Sequence, residues 1–203
     1  AEVPPELHQT AWCTNVALEF ITQQRQPETP WFFSLNCFDP HPPFDPPAEY
    51  VRRFDPAAMP GPLFRDSDLA AQAAIAAAGV NFQTPVRRPG EFDAQRIQAA
   101  YYAMIEQIDD NVGRLLDALE RTGQRDNTLI IFTSDHGEAL GDHGLLQKGC
   151  RFYEGLVRVP LIFSWPSSGF RRGLVSDALV ELTDIVPTLL DVAGLKYPRR
   201  MHG

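Results

Sequence analysis

Lysine is almost missing from this chain: Lys148 and Lys196 stand alone, and the rest of its 18 basic side chains are arginines. Cysteine is scarce too. Cys13, Cys37 and Cys150 are odd in number and follow no ligand spacing, which excludes a disulfide framework and a cysteine-built zinc site. No apolar run reaches the length of a membrane span, so no membrane partner is expected. The lack of a visible signal peptide tilts the expected compartment toward the cytoplasm. Positive charge is the minority, 18 basic against 26 acidic residues for a net charge of −8. That balance argues against nucleic acid or an anionic membrane as partner. An acidic chain still takes an anionic substrate where a metal or a few cations gather in one cleft. Repeats, low-complexity tails and a dividing linker are also absent, so residues 1–203 read as a single α/β domain. No initiating methionine precedes Ala1, as expected of a processed product or an excised piece.

What is present is punctuated clearly. Thr10 is a candidate cap for a helix over 11–24, where Trp12, Val16 and Phe20 recur at helical spacing before Pro27 and Pro30 end it. "WFFSLNCF" (31–38) predicts a buried strand. "DPHPPFDPP" (39–47), with five prolines, predicts a stiff loop leaving that strand. Residues 54–92 read as an insertion or lid holding a short Ala-rich helix at 68–79. Ile97, Tyr101, Met104, Ile105, Ile108, Val112, Leu115, Leu116 and Leu119 then step by threes and fours along one face of a long helix. Asp93 is its expected cap and Gly123 its expected end. Strands are expected at 128–134 and 157–165, with a third at 173–180. A last helix is expected over 183–194, with Thr183 as cap, Pro187 in its opening turns and Gly194 at its end. This order points to an α/β sheet covered on both faces.

In such sheets ligands bind beyond the carboxyl ends of strands. The 128–134 strand runs into "SDHGEALGDHGLLQKG". Asp135 offers a hard oxygen and His136 a borderline nitrogen, a pair suited to a divalent cation. Both reach one ion only where the strand is already turning, and Gly137 tolerates the positive φ such a turn uses. Taken alone, Asp135 as a turn cap and His136 as a surface residue is the commoner outcome. Lys148 ends a glycine-rich loop, a reasonable way to bring one compact cation to an anionic oxygen. His143 either holds that loop or joins the substrate site. His41, in the proline-rich loop, matters if the loop aims its imidazole at an anionic group or a leaving oxygen.

Five segments occurring in order, "PWFFSLNCFDPHPPFDPPAEY", "YYAMIEQIDDNVGRLLDALE", "NTLIIFTSDHGEALGDHGLLQKG", "RVPLIFSWP" and "LTDIVPTLLDVAGL", resemble the sulfatase family of the alkaline-phosphatase superfamily. That family includes arylsulfatases, choline-sulfatase-like enzymes and phosphonate monoester hydrolases. The resemblance implies part of an alkaline-phosphatase-like three-layer α/β/α sandwich with a mostly parallel central sheet. It implies Asp135 and His136 as ligands of a divalent metal, calcium or manganese, and Lys148 on the oxygens of a small-molecule sulfate or phosphonate ester. It implies His41 on the same group, or as the acid toward the leaving group. Many sulfatases have asparagine at the His136 position, and the Asp-His version looks more like the phosphonate monoester hydrolase and choline-sulfatase branches. Two features of the resemblance have no counterpart here: a pair of adjacent metal-binding aspartates, and a Cys-x-Pro/Ala-x-Arg nucleophile whose cysteine or serine becomes formylglycine. "CTNVA", "CFDPH" and "CRFYE" do not fit it. The 203 residues alone are therefore expected to hold half a metal site and to be inactive, with an exposed sheet edge that favours self-association into homo-oligomers.

Overall fold

The strongest apolar periodicity becomes the longest element. In the computed structural model, which describes residues 3–24, 28–80, 85–198 and 200–203, helix α4 runs Ala94–Arg121 over 28 residues. That is about 42 Å of rod at ~1.5 Å per residue. Asp93 caps it as the sequence predicts, its carboxylate accepting the backbone N–H of Arg96 at 3.0 Å. At the far end Gly123 adopts a φ of 65° and the Gln124 N–H returns to the Leu119 carbonyl at 2.8 Å. This is the left-handed closure that satisfies a helix's last carbonyls.

The buried face of α4 differs from the apolar stripe. Met104 and Leu119 are buried, but with them go Ala99, Ala103, Gln107, Asn111 and Ala118. Ile97, Tyr101, Ile108, Val112, Leu115 and Leu116 are half-buried, and Ile105 is exposed. Small side chains let another helix come close, and α1 (Gln9–Glu19) packs there. Arg114 bridges the pair, donating to Asn15 on α1 at 2.5 Å and to Asn111 at 2.8 Å. Ile21, Ala118 and Leu119 form the buried centre of this packing, with Leu18, Phe20, Trp31 and Ile130 around them. The short helix α2 (Ala48–Val51) is tied to α4 by the Tyr50 hydroxyl, which donates to Asp110 at 2.9 Å.

Helix α1 starts earlier than its sequence suggests and continues as a π-helical turn, Phe20–Gln24. His8 occupies the cap position without a capping bond. Thr10 lies inside the helix, where its hydroxyl donates to the buried Asp39 carboxylate and pins the proline-rich loop instead. Pro27, one of the expected helix stops, lies outside the described residues.

Residues 31–38 pair with no strand among the described residues. Their side chains still alternate, with Trp31, Phe33, Leu35 and Cys37 half-buried and Phe32, Ser34, Asn36 and Phe38 exposed. Period-two burial is the mark of a pleated chain. What distinguishes this segment from a strand is a hydrogen-bonded neighbour.

The sheet of the described residues has two strands, β1 (Ile130–Thr133) and β2 (Leu161–Ser164). They run antiparallel, with Ile130 opposite Ser164 and Thr133 opposite Leu161. Pro160 stands just before β2, where its missing N–H disturbs no ladder. The stretch 173–180 contains no strand, and a short helix α5 (Glu154–Val157) precedes β2. In the 54–92 region α3 spans Asp66–Ala77, close to the expected helix.

Contacts divide the chain into two units, Ala1–Pro166 and Ser167–Gly203. The second holds α6 (Ile185–Val192), entered through a 3-10 turn over Leu182–Asp184. Thr183 is not its cap; the Glu181 N–H donates to Asp184 at 2.8 Å and the Thr183 hydroxyl reaches the Glu181 carboxylate. Every candidate site residue belongs to the first unit.

Candidate functional site

β1 ends at Thr133 and the backbone turns at once. The Ser134 hydroxyl donates to the His136 carbonyl at 2.8 Å, and the Asp135 carboxylate accepts the His136 N–H at 3.0 Å. Gly137 donates its N–H to the Leu156 carbonyl at 2.8 Å, which holds the turn against the segment before β2. The reason for glycine here is proximity and not a positive φ. Gly137 is absent from the residues with positive φ, and a β-carbon on it would stand 1.9 Å from the Gly155 oxygen.

Asp135 and His136 meet as one donor set. Asp135 Oδ2 lies 3.6 Å from His136 Nε2. Two ligand atoms each ~2.1 Å from one ion at a near-tetrahedral angle stand roughly 3.4 Å apart, so the spacing suits a shared cation. The opposite ring nitrogen strengthens the fit. His136 Nδ1 lies 2.9 Å from the Gly137 carbonyl oxygen, which only accepts, so a hydrogen bond there puts the proton on Nδ1 and the lone pair on Nε2. An imidazole oriented by a backbone carbonyl on its far side is the usual arrangement of a metal-binding histidine. Among the described residues, no three or more His, Cys, Asp or Glu side chains gather into a complete metal site. Asp135 and His136 are two donor groups, short of such a set.

Lys148 comes back to the same turn. Its Nζ lies 3.5 Å from Oε2 of Glu138, a residue the sequence reading passed over. The Glu138 side chain is 3% exposed and that of Lys148 24%. Burial pushes the Glu138 carboxyl above the usual carboxylate range, and the charge of Lys148 opposes that rise. The Tyr101 phenol on α4 is raised as well, by burial first and then by the Glu138 charge. The sequence carried one signal for Glu138: an acid immediately after Asp-His-Gly, in a loop too rich in glycine to be a helix surface.

His143 goes elsewhere. Its ring stacks on Tyr153 with centroids 3.8 Å apart, and Nδ1 lies 3.2 Å from the Asp68 carboxylate on α3. Its backbone N–H donates to the Leu63 carbonyl at 2.8 Å. These contacts fasten the 141–144 loop to the 54–92 region. His41 packs its ring against Phe38 at 4.6 Å, and its Nδ1 lies 2.7 Å from the Pro42 carbonyl. The loop beneath it is anchored by Asp39, which takes the Thr10 hydroxyl and lies 3.2 Å from His8 Nδ1. A cleft of about 460 Å³ opens beside Phe44, Arg52, Phe54 and Arg96, without Asp135, His136 or Lys148 in its wall.

The family model for Sulfatase matches residues 6–195. The chain belongs to the sulfatase family. This sulfatase-family chain is 35% identical over 199 residues to an arylsulfatase of Clostridium perfringens, a match covering 97% of the chain and 40% of that protein. Among solved structures it superposes on the phosphonate monoester hydrolase of Agrobacterium radiobacter with a TM-score of 0.81 and 33% identity, covering 96% of the chain and 40% of that structure. For the phosphonate monoester hydrolase of Silicibacter pomeroyi the TM-score is 0.82 at 31% identity, with 99% and 41% covered. The sulfatase-family chain thus spans about two-fifths of the length of these relatives.

Proposed function

We propose that this chain contributes part of the catalytic domain of a metal-dependent hydrolase of sulfate esters, with phosphonate esters as the second substrate class. The observation that carries the reading is the 3.6 Å approach of Asp135 Oδ2 to His136 Nε2, with Nδ1 facing the Gly137 carbonyl. Asp135 and His136 hold a divalent cation, calcium or manganese, which when bound stabilises negative charge developing on the ester oxygens. The Lys148 ammonium donates to the same oxygens, and His41 binds the transferred group or supplies a proton to the leaving oxygen. His143 keeps the loop in shape. The remaining ligands and the formylglycine nucleophile come from outside these 203 residues, within a three-layer α/β/α sandwich whose central sheet is mostly parallel. On this reading the 203 residues by themselves turn over neither ester.

Phosphonate chemistry has its own support, in the Asp-His pair and in the likeness to two solved phosphonate monoester hydrolases. A module that kept the scaffold and lost the chemistry is disfavoured by the joint presence of Asp135, His136, Lys148 and His41. The test is to assay the full-length protein on an aryl sulfate and an aryl phosphonate monoester, with and without chelator. Asp135→Ala is expected to lower kcat/KM by roughly 100-fold or more, since even partners of metal ligands cost 10–100-fold. Turnover indifferent to both chelation and Asp135→Ala sinks the metal reading, and the ratio of the two rates decides the substrate class.

A further inference from the structure

The turn after β1 carries a buried acid for which the proposed chemistry has no use. Glu138 carries a carboxylate 3% exposed, and the next residue, Ala139, packs with Leu145 and Leu156 in a small apolar cluster. Its Oε2 lies 3.5 Å from Lys148 Nζ, while Oε1 is buried with no hydrogen-bond partner among the described residues. An ion pair with one partner buried and the other, Lys148, 24% exposed is a poor stabilising device, because taking the buried charge out of water offsets most of the attraction. One partnerless oxygen makes it poorer still. The pair therefore needs a reason other than stability.

Lys148 supplies one. Lysine is a point charge on a flexible four-carbon stem, without the rigid fork that orients arginine. Gly144 and Gly149 flank it with φ of 76° and 57°, so the backbone around it is shaped by residues with little conformational restraint of their own. An ammonium that must meet an anionic oxygen in one place needs a fixed countercharge behind it. An ammonium also has three donors, so one directed at Glu138 leaves two for the substrate.

We infer that Glu138 is a positioning residue, holding the Lys148 ammonium where it meets the anionic oxygens of the ester. The inference rests on the hydrolase reading above. Glu138 itself touches neither substrate nor metal; it acts through Lys148.

The experiment is a double-mutant cycle on the full-length, metal-loaded protein, with Glu138→Gln, Lys148→Ala and the double variant assayed on the preferred ester. Glu138→Gln is expected to lower kcat about 10-fold or more with KM changed less than about 3-fold, the pattern of an interaction lost in the transition state. In the Lys148→Ala background the same change is expected to cost almost nothing, because the group it positions is gone. Equal losses in both backgrounds, or no loss in either, overturn the positioning role while leaving the hydrolase reading intact. Absence of turnover on both ester classes in the unmodified protein overturns the hydrolase reading and the positioning role together. Should Glu138→Gln not fold, Glu138→Asp carries the cycle in its place. It keeps the charge one carbon short, and is expected to give a smaller kcat loss that also disappears with Lys148→Ala.

Discussion

At Gly137 a side chain has no room, since a β-carbon would stand 1.9 Å from the Gly155 oxygen and 3.0 Å from its carbonyl carbon. Both are backbone atoms and cannot swing aside. Gly137→Ala must push the two segments apart and stretch the hydrogen bond from its N–H to the Leu156 carbonyl. Overpacking of this kind costs about 1–3 kcal/mol and the strained hydrogen bond about 1 more. An unfolding free energy from urea titration lowered by less than about 1 kcal/mol would show that the turn slides freely. Cys37 offers a second residue-scale test. Burial, then the nearby Cys13 and Asp39, push its thiol up to about 11. At pH 8 it stays protonated, and the thiolate is the nucleophile. Iodoacetamide is therefore expected to label exposed Cys150 well before Cys37, as read by peptide mass spectrometry. Faster labelling at Cys37 contradicts that placement.

Helix α3 belongs to a region that the sequence marks as an insertion or lid, and its contacts make it a clasp. Gln72, 1% exposed, donates to the Tyr153 hydroxyl at 2.7 Å and accepts from Arg151 Nε at 2.9 Å. The Leu63 N–H donates to Asp142 at 2.7 Å, and the Arg87 N–H donates to the Gly144 carbonyl at 2.9 Å. The loop bearing Lys148 is thus gripped from both sides of α3. Asp68 ties the helix start to His143. Its carboxyl is held below the usual range by the Arg65 N–H first, and then by His143 against some opposing desolvation. A depressed carboxylate contributes stability that is present above its unfolded value, about pH 4, and lost as pH falls through its lower folded value. Asp68→Asn is expected to lower the melting temperature at pH 7, with the gap to the unmodified protein closing toward pH 2. A gap that persists undiminished at pH 2 means that shape and not charge is at stake.

At the scale of the molecule, apolar surface is left open. Phe132 and Ile162 face each other across the two strands and are 37% and 56% exposed, and Phe32 on the alternating 31–38 segment is 74% exposed. Apolar groups on strands with an open edge favour association. The 203-residue polypeptide is expected to self-associate, with light scattering returning a mass above 22.7 kDa at micromolar concentration. A clean monomer there means that these surfaces are tolerated in water. No helix among the described residues is long and apolar enough to cross a membrane.

Local signals carried much of this reading. The period of α4, the acid that caps it and the glycine that closes it depend on residues a few positions apart, as do the β-branched run of β1 and the Asp-His pair that follows it. Each was legible without a fold. The burial of Asn111 and Gln107 in place of Ile105 was not, because helix periodicity names an apolar face without naming which neighbour arrives. Glu138 was hidden for a similar reason: only its approach to Lys148, ten residues on, separates it from an ordinary surface acid. The sequence by itself determined the long helix with its cap and its end, the strand that runs into the Asp-His turn, and the family. Only the tertiary structure decided that β1 and β2 lie antiparallel, that Gly137 answers to a close backbone, and that His143 serves α3. Those outcomes depend on which distant atoms come within a few ångströms, a quantity that no local pattern contains.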